Sequence, residues 1–239
     1  MKPTILTDKN ICAVNEKTLH AVANFAKSNQ HKKVLHPIYV IVPDRSTLLC
    51  ETFLTCHAGC LLNVRVLTFS MLYNVLHGGS DTPVLNKTMA VLYMWLSIKN
   101  VRAELKYFSK SVDQYAFAEK MFNTINQLTS CMADFTKLEQ NSKTEITKRK
   151  MHDISLIWRE YKKLTANYID GSGILAWLIA NISKSKQIAE AYVYITGFEH
   201  FSVQRGEVVR LLLKHAKSFV IGVQNKSEAE GFINEISFA

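Results

Sequence analysis

The chain has 239 residues, 48% of them hydrophobic, and carries 29 Lys and Arg against 20 Asp and Glu, a formal net charge of +9. That apolar share excludes a disordered polyelectrolyte, and no run reaches the ~18 apolar residues of a membrane span. The cation excess favours a polyanionic partner, because clustered Lys and Arg release counterions from phosphates, although the same charge serves solubility.

Thr4-Ile5-Leu6 is a short strand candidate, and Asn15 is placed to cap a helix carrying Leu19, Val22, Ala23 and Ala26 on one face. Lys27 to His36 is polar and basic and reads as a loop. Pro37-Ile-Tyr-Val-Ile-Val42 is apolar throughout, as a parallel strand covered on both faces must be. Pro43-Asp44 ends it, and Arg45-Ser46-Thr47 opens a helix through Leu48, Phe53 and Leu54. Leu61 to Leu67 is a third strand. Ser70 is then placed to cap the helix Met71 to Leu76, with Gly78-Gly79 closing it.

From Leu85 to about Lys186 helical periodicity replaces the strand signal. Leu85, Met89, Leu92, Tyr93 and Leu96 form one stripe, Phe117, Met121, Ile125, Leu128 and Met132 a second, and Ile154, Ile157, Trp158, Tyr161 and Leu164 a third. Asn141 to Lys150 suits an exposed connector, Gly171-Ser172-Gly173 a turn, and Ile174 to Ile182 a further helix. The α/β pattern resumes with the strand Tyr192 to Ile195, which Thr196-Gly197 breaks. Phe198 and Phe201 follow in the loop, Ser202 is placed to cap a helix from Val203 to Lys217, and Phe219 to Val223 is a last strand. A short helix is expected in Gln224 to Ala239. The pattern predicts a parallel-sheet domain, residues 1–84 and 187–239, interrupted by a helical insertion, residues 85–186.

The chemistry of nucleotide hydrolysis is missing from this frame. A phosphate loop needs GxxxxGK[ST] after the first strand. Leu6 to Asn15 contains no glycine, so its backbone cannot curl round a phosphate. A magnesium-binding strand should end in an acid, and Tyr192 to Ile195 ends in Thr196-Gly197. There is no GxSxG, HExxH or GxGxxG. His200 beside Glu199 reads as a solvated loop pair. The cysteines, Cys12, Cys50, Cys56, Cys60 and Cys131, form no CxxC pair and read as reduced, partly buried thiols. Met1 to Asp8 has no apolar secretory region, so a cytoplasmic protein is expected.

A binding surface remains. Three segments would converge at the carboxyl edge of the sheet: Pro43 to Thr47, Thr68 to Met71, and Gly197 to Phe201. They offer a cation, hydroxyls, helix-start N–H groups and the rings of Phe69, Phe198 and Phe201, a mixture suited to single-stranded nucleic acid. The same rings serve equally as core under the loops. Lys99, Arg102, Lys106, Lys143, Lys148, Arg149 and Lys150 of the insertion either line a DNA path or form a solvated face.

Five segments together carry a resemblance. Ile41-Val-Pro-Asp-Arg-Ser-Thr47, Val66-Leu-Thr-Phe-Ser-Met-Leu72, His152-Asp-Ile-Ser-Leu-Ile-Trp-Arg-Glu-Tyr161, Tyr168-Ile-Asp170 and Tyr194-Ile-Thr-Gly-Phe-Glu-His-Phe-Ser202, in this order, resemble the N-terminal helicase-like region of the AddB/RexB family. That family supplies the second, non-motor chain of the bacterial ATP-dependent helicase–nuclease. The resemblance implies a degenerate RecA-like (P-loop NTPase-type) α/β fold with no motor activity of its own. It implies a module that scans the emerging single strand for the hotspot sequence Chi during double-strand break repair and homologous recombination. The DNA-binding positions it implies are Arg45, Thr47, Phe69, Met71, Asn74, Phe198 and Phe201. The partners implied are DNA and an AddA/RexA-like motor subunit. No cofactor is expected in this chain; ATP and magnesium belong to the partner subunit, and magnesium and an iron–sulfur cluster to the family's C-terminal region. The chain shows no nuclease motif and is expected to be inactive alone, as a fragment of a longer helicase/exodeoxyribonuclease subunit. Three departures stand out. The family often has Arg where Met71 stands, Trp where Asn74 stands and Asp where Thr196 stands. The rival expectations are a scaffold docking the motor subunit without DNA contact, and a nucleotide-dependent enzyme with an unusual phosphate loop at Lys9.

Overall fold

The computed structural model describes residues 3–29, 35–59, 63–79 and 82–224. In chain order it holds β1 (Thr4–Thr7), α1 (Ile11–Asn29), β2 (Ile38–Ile41), α2 (Thr47–Ala58), β3 (Val64–Leu67) and α3 (Phe69–His77). Then come α4 (Lys87–Asn100), α5 (Tyr115–Ser130), α6 (Phe135–Gln140), α7 (Glu145–Leu164), α8 (Gly171–Asn181) and α9 (Lys186–Glu190). β4 (Tyr192–Ile195), α10 (Val203–His215) and β5 (Ser218–Val223) follow. The chain divides into two compact units. One comprises Met1–Gly79, Leu175–Phe201 and Arg205–Ala239, the other Ser80–Ile174 and Ser202–Gln204.

The first unit is an α/β layer. Its described strands make one parallel sheet in the order β1-β5-β4-β2-β3. β2 is buried at every residue, because it lies between strands and under helices on its faces. α1 lays Leu19, Val22, Ala23 and Ala26 into a core with Val40, Leu54, Val66 and Tyr194. Register does the functional positioning. Ile41 is paired with both Leu67 and Ile195, so β4, β2 and β3 end level and their following loops emerge side by side. The sheet is of the RecA-like kind with a helical insertion, as the resemblance implies.

Several local expectations need correction. Asn15 lies inside α1. The cap is Asn10, whose Oδ1 accepts from Ala13 N at 2.9 Å, and Asn15 is engaged in a tertiary bond instead. α1 runs to Asn29, so the expected loop starts later; Gln30 to Val34 lie outside the described residues. Thr68, not Ser70, caps α3, accepting from Met71 N at 3.2 Å. Thr144 caps α7, so Glu145 to Lys150 is helix rather than connector, supported by the Glu145–Arg149 pair one turn apart. Gly171 to Gly173 form the first turn of α8, because Asp170 Oδ1 accepts from Gly173 N at 2.7 Å. The expected helix beyond Gln224 and the start of the third strand, Leu61 and Leu62, lie outside the described residues. Gly78 closes α3 in the left-handed region, φ 71°, as a glycine there must.

The second unit is helical, its core built from α4, α5, α6 and α7. The α5 and α7 stripes bury Met121, Ile125, Ile154, Ile157 and Tyr161. Met132 falls beyond the end of α5 and is exposed. The α4 stripe is wrong: Met89, Leu92 and Leu96 are exposed, while Ala90, Val91, Met94, Ser97 and Ile98 are buried. α4 is apolar nearly all round, so periodicity alone could not choose its inward face. Asp153 of α7 is fully buried, and its carboxylate accepts from Lys106, Tyr107 and Phe108 N at 2.9, 2.8 and 2.9 Å. Three N–H dipoles thus neutralise a charge that burial would otherwise make very costly.

Candidate nucleic-acid interface

The three loops expected to converge do so. Gly197 sits at φ 85°, and a Cβ there would come within 2.9 Å of Pro43 Cδ. Only glycine allows this approach of the β4 loop to the β2 loop. Across the join, Arg45 Nη2 lies 3.5 Å from Glu199 Oε1, with both side chains exposed. Such a pair orients groups while contributing little stability. Glu199 is therefore partnered with Arg45 and not with its neighbour His200.

The rings form a run. Phe69, buried in the first turn of α3, lies 5.5 Å from Phe198, which lies 5.0 Å from Phe201. Phe198 and Phe201 are half-buried, so each ring is core on one side and surface on the other. Thr47 donates its hydroxyl to Asp44 O at 3.1 Å and so completes the turn that presents Arg45. Met71 and Asn74 are set apart from this cluster. Both are exposed on α3 and line a cavity of about 770 Å³ with Arg65, Glu51 and the β3 backbone. The sequence pattern does not single out Arg65 or Glu51, and it reads Glu199 as the partner of His200 rather than of Arg45. The alternation of side chains along β3 was the available signal for Arg65.

Beneath the loops lies the position where nucleotide chemistry would sit. Thr196 is buried and donates its hydroxyl to Asn15 Oδ1 at 2.7 Å. Gly222 of β5 is crowded against Thr18 Oγ1; a Cβ there would also lie 2.8 Å from Val14 Cγ1 and 2.9 Å from Thr196 Oγ1. At the start of α1, Asn10 already caps the helix, and the Asp8 carboxylate accepts from Lys9 N at 2.7 Å. Lys17 Nζ donates to Thr7 O at 3.0 Å and lies 3.9 Å from Asp8. An incoming phosphate would meet a filled cap and a like charge, so these residues do not fit a nucleotide.

In the helical unit, Lys99 and Arg102 are held by Asp113 at 3.8 and 3.2 Å, and Arg149 by Glu145 at 3.2 Å. Lys106, Lys143 and Lys148 are exposed, and Lys150 Nζ lies 4.7 Å from the centroid of Tyr107. Of the described cysteines only Cys50 is buried, and burial pushes its thiol pKa up; Cys60 lies outside the described residues. Among the described residues no helix is long and apolar enough to cross a membrane.

The described strands, an all-parallel RecA-like sheet with a helical insertion, define the class: a RecA-like α/β domain whose first strand is followed by no glycine-rich phosphate loop. Residues 13–236 match the family described as ADDB, N-terminal, and the chain belongs to that family. It is 29% identical over 209 residues to the B subunit of the ATP-dependent helicase/deoxyribonuclease of Clostridioides difficile (strain 630), covering 82% of this chain and 18% of the relative. It is 26% identical over 196 residues to the protein of the same name from Bacillus subtilis (strain 168), covering 76% and 17%. For Staphylococcus aureus (strain MRSA252) the values are 27% over 235 residues, 85% and 20%. The chain thus spans about a fifth of the length of the curated relatives it matches.

Proposed function

We infer that this chain is the non-motor, DNA-binding module of an AddB-type helicase–nuclease chain acting in double-strand break repair and recombination. It scans single-stranded DNA in the manner of Chi recognition, in a complex with an AddA-like motor subunit. The ATP chemistry belongs to that partner, and the nuclease chemistry to the remainder of the AddB-type chain. One observation carries this reading: the level ends of β4, β2 and β3 set Arg45 beside the Phe69–Phe198–Phe201 run. Half-buried rings on a rigid base suit base stacking, and an adjacent guanidinium suits the phosphate of the same strand. Met71 and Asn74 line a separate cavity, where an adaptable and a hydrogen-bonding side chain suit a flanking nucleotide.

The test is fluorescence anisotropy with labelled single-stranded DNA across a salt series, wild type beside Phe198→Ala/Phe201→Ala. Stacking is worth about 1–3 kcal/mol per base, so the double variant is expected to bind at least tenfold more weakly. Equal binding by the two proteins contradicts the stacking surface. A scaffold role is the second reading. Leu48 and Leu49 favour it, since adjacent leucines at 73% and 74% exposure suit a protein partner. It predicts no measurable single-strand binding, together with motor-subunit capture lost on Leu48→Ser/Leu49→Ser.

A further inference from the structure

We propose that the helical unit carries a second DNA contact, separate from the sheet edge, which grips the phosphodiester backbone through Lys106, Tyr107, Lys110 and Lys150. The connection between α4 and α5 is long and mostly without regular structure, yet it is fixed at its centre. Asp153 takes three consecutive backbone N–H groups from residues 106–108. Burying a carboxylate for this purpose specifies one conformation of the loop.

That conformation turns Lys106 and Tyr107 outward, Tyr107 at 43% exposure. Phe108 turns partly inward, meeting Tyr107 edge-on at 4.9 Å and packing on Phe117 at 5.1 Å. Lys150 stands one turn before Asp153 on α7, its Nζ 4.7 Å from the Tyr107 ring. The residue that fixes the loop and the residue that charges it therefore share a helix face. Lys110 is exposed in the 3-10 turn Ser109–Ser111. Of the acids in this connection, Asp113 is engaged by Lys99 and Arg102, and Glu104 lies in the preceding turn.

With Lys150 over one face of the ring, Tyr107 is poorly placed to stack a base. A phenol with one ammonium over its ring, flanked in the chain by the exposed Lys106 and Lys110, matches the non-bridging oxygens of a phosphodiester chain instead. This contact is independent of sequence. It would supply affinity and salt dependence, whereas the sheet edge would supply discrimination.

The test uses the full chain and two probes, a labelled DNA duplex and a single strand of the same length, each across a salt series. Lys106→Glu/Lys110→Glu is compared with a control of equal charge, Lys186→Glu/Lys214→Glu, on exposed residues of the other unit. The expected result is tenfold or greater weakening for the first pair, for any base sequence. The salt slope should fall by about 2, near 0.9 for each neutralised phosphate. Loss on both probes supports a grip on any phosphodiester chain, and loss on the duplex alone supports a grip on duplex DNA. Equal loss in the control overturns the proposal, since net charge alone would then explain it. Unchanged DNA binding overturns it; loss of binding to poly-glutamate, added as a third probe, would then assign the patch to an acidic protein. Lys106→Gln/Lys110→Gln gives the same reading should reversal disturb folding. Phe198→Ala/Phe201→Ala does not touch this patch, so failure here and failure of the stacking surface are separately visible.

Discussion

The two units hold their surface loops by opposite means. In the sheet unit the loops after β2, β3 and β4 are set by strand register, a ladder of many backbone bonds. The side chains at the join add little: Arg45 and Glu199 form an exposed ion pair. In the helical unit no ladder is available to the connection after α4, and one side chain, Asp153, does the equivalent work. A register distributes its stability over many residues and tolerates change at any one of them. A single buried carboxylate concentrates it.

The largest expected effect follows directly. Asp153→Ala leaves three N–H groups of a partly buried nest without their acceptor, at about 1–3 kcal/mol each in the worst case. A total loss of about 3–5 kcal/mol is expected in urea unfolding, with broadening of the NMR resonances of residues 102–113. A loss under about 1 kcal/mol, the worth of one ordinary hydrogen bond, would break the comparison. In the sheet unit the most sensitive point is a backbone approach rather than a polar group. Gly222→Ala drives a methyl against Thr18, Val14 and Thr196, and about 1–3 kcal/mol is expected from overpacking, read in the same unfolding curves.

The smallest effect concerns acid. Burial alone would raise the pKa of Asp170, but Lys162, the Ser172 hydroxyl, the Gly173 N–H and the Tyr161 hydroxyl outweigh it and hold the carboxyl below its ordinary value of 3.8. Ionised Asp170 therefore stabilises the fold above pH 3.8, and that contribution disappears as pH falls from there through the lowered folded value. Asp170→Asn keeps a capping oxygen but removes the charge. It is expected to lose about 1 kcal/mol at pH 7 and to show a flatter decline of Tm between pH 5 and pH 2 (about the span over which such a carboxylate titrates). A decline as steep as wild type would show that Asp170 titrates normally.

How much of this is legible in the sequence depends on where each residue's partner lies. Tyr192 to Ile195 is readable with its boundaries intact, because a β-branched and aromatic run ending at Gly197 is a local signal. The convergence of the three loops is legible too, since parallel strands deliver their carboxyl ends to one edge. The inward face of α4 is not, because apolar residues surround that helix. Asn15 looks like a cap for want of its real partner, Thr196, which is 181 positions away. Asp153 is invisible for a deeper reason. Its partners are backbone N–H groups 45 to 47 residues upstream, and a backbone donor leaves no trace in residue type.

The packing around Gly222 also bears on what it would take to open a phosphate site here. Thr18, Val14 and Thr196 come from a helix and the end of a strand, and they share one small volume with Gly222 and the Asn15 amide. Shrinking any one of them opens a void too small for a phosphate and costs the packing contacts that line it. An acid placed at position 196 alone would be buried beside the neutral Asn15 amide, with no charge to offset its desolvation. Each single step towards a phosphate site is thus destabilising on its own. The fold behaves as a lock with several tumblers: helix and strand positions would have to change together before a phosphate could enter.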